Sequence, residues 1–158
     1  MARRRRLAST ALSVAQLGHA HWFFGNLYEA VVRVPHRMLD EAVSADQATE
    51  VLRPGSPLRY YVPGIPLTVP AALVTLVAGW RDPRQRRWLA VFAGCSATGG
   101  AITGYLVRRV NIPLFFSAEP VGAAQRDALL RTWYRLNGVR LAVVGVACLA
   151  AARARSVS

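Results

Sequence analysis

The stretch GHAHWFFGNLYEAVVR, residues 18–33, places His19, His21, Asn26 and Glu29 inside a segment that is otherwise apolar. A histidine has its ordinary pKa near neutrality and can exchange protons, a carboxylate can do the same, and an amide can hold a developing oxyanion. At ~100° per residue, His19, Trp22, Asn26, Glu29 and Arg33 share one stripe of a helix, and His21 lies roughly opposite His19. Two histidines so placed cannot chelate one metal, as an i, i+4 pair can, so no metal site is expected. A second stripe near the C-terminal end combines Trp133, Asn137 and Arg140, with Tyr134 alongside. Asn111 stands alone between the two.

These groups sit in four apolar blocks, Leu7–Val32, Gly64–Trp80, Arg87–Val110 and Thr132–Ala152. Each approaches the ~20 residues that cross ~30 Å of hydrocarbon. Without a β alternation, helices are the only way to span. The expected fold is therefore all-α, a single transmembrane domain forming an integral membrane four-helix bundle. Within the first loop, DEAVSADQATEVL predicts a short amphipathic surface helix. Within the third, VGAAQRDALLRTW predicts a helix leading into the fourth span. The N-terminus has the charge and apolarity of a signal peptide but no clear cleavage site, which favours an uncleaved first helix.

Hydrophobic residues make up 53% of the 158, and the net charge of +12 comes from Arg alone, since there is no Lys. The arginines gather at the ends of apolar blocks and form no stripe on a soluble face, which argues against nucleic-acid binding. Arg3 to Arg6, Arg81, Arg84, Arg86, Arg87, Arg153 and Arg155 fall on one side of an up-down arrangement. Positive-inside then puts both termini in the cytoplasm of a multi-pass cell-membrane protein. Cys95 and Cys148 lie in apolar blocks without zinc or redox spacing and read as small buried hydrophobes. Ser96, Gly100 and Gly104 recur every four positions and predict a close helix approach.

Arg140 falls near mid-span, where an arginine costs at least ~2.5 kcal/mol unless it finds a partner. Glu29 is the one acid within the four blocks. It has two possible cations: Arg33, one turn on at the interface, or Arg140 across a shared cavity. Asn26, Glu29, Asn111, Asn137 and Arg140 fall at similar heights, which favours a polar cavity over mere helix glue. Trp22, Phe23, Tyr105, Phe115, Phe116, Trp133 and Tyr134 can wall it.

The segment TGYLVRRVNIPLFF, followed by RDALLRTWYRLNGVR, resembles the DUF1772 family of small integral membrane proteins, which includes the anthrone oxygenases. The resemblance rests on an Asn after the third span, an amphipathic loop, then a Trp and an Arg entering the fourth. Here these are Asn111, Trp133, Asn137 and Arg140, and EAVVRVP with Pro35 closes the first span in the same way. The likeness implies oxidation of a phenolic or polycyclic natural product, a monooxygenase-like oxidoreductase activity with no evident cofactor. In that reading His19 and Arg140 are the catalytic pair, and Trp22, Asn26, Glu29, Asn111, Trp133 and Asn137 bind the substrate. Cyclisation and isomerisation use the same groups. The partners expected are a lipophilic small molecule and the bilayer, and a homo-oligomer is compatible with the sequence. The alternative is a non-catalytic membrane protein that binds a lipophile or serves a larger complex. A small transporter is a third, weaker reading.

Overall fold

The structure, a computed structural model, describes residues 2–41, 57–61, 65–117 and 121–157. Every regular element among them is helical: α1 (Ala2–Val31), α2 (Val34–Glu41), α3 (Pro57–Tyr61), α4 (Ile65–Gly79), α5 (Pro83–Leu106), a π-helical turn (Val107–Asn111), α6 (Ile112–Phe115) and α7 (Ala123–Ser156). Three helical stretches are long and apolar enough to cross a membrane, Arg59–Gly79, Pro83–Phe115 and Ala123–Ser156. At 30 residues α1 is long as well. It is not among the three, since its sequence combines four consecutive arginines with Gln16, His19, His21, Asn26 and Glu29. Side chains such as Leu17, Val77 and Leu149, each more than 70% exposed, coat the outside with hydrocarbon, the surface a bilayer would cover.

The boundaries have local causes. The α5 helix starts at Pro83 because Asp82 caps it, accepting from the Arg84 amide at 2.9 Å, with proline at the first helical position, where its missing N–H costs nothing. Asp82 also accepts from the Gln85 side chain at 3.2 Å. The expected start at Arg87 was therefore one turn late, and the α4–α5 connection is a tight turn. Trp80 and Trp88 take the guanidinium groups of Arg86 and Arg87 over their rings at 5.6 and 5.1 Å. Pro113 has no amide hydrogen to continue an α-helix. Just before it the chain widens, and the Ile112 amide donates to the Val107 carbonyl, five residues back. Such π turns often mark functional sites.

The α1 helix packs against α4 and α7, and α5 packs against the same two. Near the arginine-rich end the core is fine-grained: Ala15, Ala72, Ala147, Ala150, Ala151 and Ala154 surround Leu12, Leu89 and Phe92. At the other end Leu106, Val110, Leu114, Leu130 and Trp133 form a second apolar cluster. Between them lies a layer of buried polar side chains.

The helix predicted within DEAVSADQATEVL falls almost wholly outside the described residues, and the helix seen before it is α2. Two expectations change. VGAAQRDALLRTW is not a separate element, since α7 runs unbroken for 34 residues. The tightest helix approach is at Gly99 and not at Gly104: a Cβ added to Gly99 would lie 3.0 Å from Trp22 and 3.2 Å from Val144, one on Gly100 would make only ordinary contact with Val69 at 3.5 Å, and one on Gly104 would meet nothing within 4 Å.

Candidate functional site

The stripe on α1 turns inward from His19 to Glu29. His19, Trp22 and Asn26 are essentially inaccessible and Glu29 is half-buried. Arg33 leaves the stripe. It is exposed and takes a left-handed backbone with φ of 55°. The cation whose charge reaches Glu29 is Arg140.

His19 occupies a closed node. Its Nδ1 lies 2.7 Å from the Ala15 carbonyl and its Nε2 lies 2.7 Å from the Ser96 hydroxyl. Ser96 in turn donates to the Phe92 carbonyl at 2.7 Å. With Nδ1–H donating to Ala15 and Nε2 met by the Ser96 hydroxyl, neither imidazole nitrogen remains for a ligand. Phe92 and Trp22 pack on the imidazole, with ring centroids at 4.7 and 5.9 Å. His21 faces elsewhere. It stacks on Tyr60 of α3 at 4.0 Å, and its Nε2 lies 3.0 Å from the Tyr60 carbonyl.

One turn further along, Arg140 is 6% exposed and is held by neutral groups alone. Its Nη2 and Nε donate to Asn137 Oδ1 at 2.6 and 3.2 Å, and its Nη1 donates to Thr103 Oγ1 at 3.2 Å. Asn137 Nδ2 donates to the Asn26 backbone carbonyl at 3.2 Å, which ties α7 to α1. The Tyr61 hydroxyl donates to Asn26 Oδ1 at 3.2 Å and also reaches the Glu29 carboxylate. Polar atoms without partners are exceptional in protein interiors. Asn26 Nδ2 is one here, and Asn111 Oδ1 another.

Asn111 brings the argument to open space. A cavity of about 90 Å³ is lined by Glu29 of α1, by Val34, Pro35 and Met38 of α2, by Val107 and Asn111 of the π turn, by Ile112, Phe115 and Phe116, and by Trp133 of α7. Its wall is apolar and aromatic, interrupted by one carboxylate and one amide. The widened turn sets Asn111 at its edge. That pairing is the usual pattern of a small-molecule site, apolar walls with a few oriented polar groups.

Compared with known proteins, the chain matches no family model, no curated sequence and no solved structure.

The structure thus brings Glu29, Asn111 and Trp133 of the expected site together at one cavity. It sets Asn26, Asn137 and Arg140 behind it as a bonded layer, and His19 and Trp22 deeper, away from the cavity. Phe115 and Phe116 wall the cavity as expected, Phe23 packs beside Gly145, and Tyr105 is half exposed and faces away. Among the described residues no three His, Cys, Asp or Glu side chains gather as metal ligands. Cys95 and Cys148 are free and only half-buried. Sequence reasoning passed over Ser96 as a hydrogen-bond partner, along with Thr103, Tyr61, Met38 and His36. Only Thr103 carried a usable signal, a hydroxyl at the depth of Arg140. The His36 ring nitrogen Nδ1 meets the Tyr134 hydroxyl at 2.9 Å, and a separation of 98 residues gives no local pattern to read.

Proposed function

We propose that this chain is an integral membrane four-helix bundle with both termini cytoplasmic, acting on a lipophilic hydroxy compound in the Glu29–Asn111 cavity. The observation that carries this reading is that a carboxylate and an unpartnered amide border one aromatic-walled space. A phenol or enol hydroxyl complements both, since its O–H is a donor for two bordering acceptors, the Glu29 carboxylate and the unpartnered Asn111 Oδ1, and Glu29 is the base that takes the proton. The resemblance to the anthrone oxygenases supplies the reaction. Glu29 takes the proton, the electron pair stays on the conjugated ring system, and dioxygen is the oxidant, giving the quinone carbonyl and water. Glu29 replaces His19 as the base in this reading, because His19 has no free nitrogen and no path to the cavity.

A second reading is a lipophile-binding membrane protein without turnover. It draws support from Arg140, whose hydrogen bonds end on Asn137 and Thr103 instead of at the cavity. Oxygen uptake with an anthrone in detergent separates the two. The enzyme reading expects uptake by the wild type and a fall of about 10²-fold in Glu29→Gln, with the melting temperature little changed. Uptake at the wild-type rate in Glu29→Gln, or none in the wild type, overturns it.

A further inference from the structure

The cavity measures about 90 Å³ and is partly open to its surroundings, so a ring-bearing ligand rests against walls whose firmness decides how it enters and leaves.

The walls are not equal. Glu29, Asn111 and Trp133 stand on long helices or their continuation, which pack against one another over many turns. The α2 wall is different in three ways. It is a helix of 8 residues. It joins α1 through Arg33, a non-glycine residue at φ 55°, a backbone region L-residues avoid because the Cβ crowds the following carbonyl. Its side chains at Val34, Pro35 and Met38 form one side of the cavity, and Leu39 rests on the apolar cluster around Trp133. Among the described residues, one side-chain hydrogen bond ties α2 to the long helices, His36 Nδ1 with the Tyr134 hydroxyl at 2.9 Å. Tyr134 stands edge-on to Trp133, with centroids 5.0 Å apart, so the fastening sits beside the cavity wall.

We propose that α2 is a hinged cover of this cavity, turning at Arg33 and latched by the His36–Tyr134 hydrogen bond. The closed position holds Arg33 in the left-handed region, and opening lets it return to an ordinary conformation. Strain therefore opposes the latch, and the balance of the two sets how often the cavity admits a molecule. The ligand-traffic part of this inference rests on the proposed function, and the motion itself does not.

Amide hydrogen exchange of residues 34–41, with α5 and α7 as internal controls, tests the motion without any ligand. His36→Phe and Tyr134→Phe each speed exchange in α2 about fivefold, the worth of one net hydrogen bond, and the double variant does no more than either single change. Arg33→Gly slows it about threefold, since glycine occupies the closed conformation without the penalty. Unchanged α2 exchange in the latch variants, or additive effects in the double, overturns the latch. Unchanged exchange in Arg33→Gly overturns the hinge. Stopped-flow binding of 1-naphthol, a fluorescent phenol, supplies the second arm. The latch variants take up and release it faster, with affinity within about twofold, because a cover changes both rates together. Slower or unchanged release in the latch variants overturns the gating role. A wild type that never binds the phenol sinks the cavity reading, while the exchange data still decide the cover.

Discussion

His19 and Asn111 are both polar residues on long, largely apolar helical stretches, yet their surroundings are opposite. The imidazole ends on a backbone carbonyl at one nitrogen and on Ser96 at the other, and aromatic rings close over it. Asn111 Oδ1 ends on nothing, and the residue borders a cavity. In hydrocarbon a polar group is costly unless bonded. A closed node therefore reads as structure, and an orphan beside a cavity reads as a place kept for a partner. Residue type alone ranks the two the other way, because histidine is the commoner catalyst. Accounting for each donor and acceptor reverses that ranking.

The largest effect expected on this contrast belongs to Arg140. Arg140→Ala removes the group that organises Asn137 and Thr103 and leaves Glu29 without its nearest cation. Loss of one member of a buried charged set costs about 3 kcal/mol, read as an earlier midpoint in a denaturation titration of the purified protein. A variant that folds as well as the wild type but no longer binds 1-naphthol would place Arg140 at the ligand instead of behind it.

The asparagines at 111 and 137 sharpen the same contrast, because identical chemistry is expected to give opposite signs. Asn137→Leu breaks bonds to both Arg140 and the Asn26 carbonyl and costs about 2 kcal/mol, since a buried charged donor loses its acceptor. Asn111→Leu removes an amide whose oxygen has no partner and is expected to stabilise the fold by about 1 kcal/mol, the cost of a buried unmet group. It should also weaken 1-naphthol binding about tenfold, the worth of one hydrogen bond inside a dry site. Measured side by side, equal stability changes at the two positions would show that Asn111 is not an orphan in the working protein.

Much of this could be read before any coordinates. Hydropathy located the three helices long and apolar enough to cross a membrane, and helical phase separated His19 from His21 and put Asn26 on the inward stripe. The exceptions have physical causes. Arg33 left the stripe because the helix ends in a left-handed residue, which no periodicity announces. The π turn followed from Pro113, a visible residue, but its effect of setting Asn111 at the cavity edge depends on how far the helix unwinds. The closest approach falls on Gly99 instead of Gly104 because packing against Trp22 selects one face of α5, and composition alone does not say which. His36 and Tyr134 meet only through the tertiary arrangement.

The smallest expected effect is the most direct attack on the contrast. His19→Leu places a similar apolar volume between Phe92 and Trp22, and Ser96 keeps its bond to the Phe92 carbonyl, so no buried polar atom is left stranded. Replacing both halves of a polar contact with well-packed apolar surface is close to neutral, and the change should stay within ~1 kcal/mol. 1-Naphthol binding should stay at the wild-type level, as should any oxygen uptake. His19→Asp differs in kind, because it buries a charge between Phe92 and Trp22 with the Ser96 hydroxyl as its one donor and no cation beside it among the described residues, and folded protein should be lost. If His19→Leu instead folded normally and abolished uptake, the closed node would be the reactive one, and the cavity would have to reach it by a movement that α2 alone does not provide.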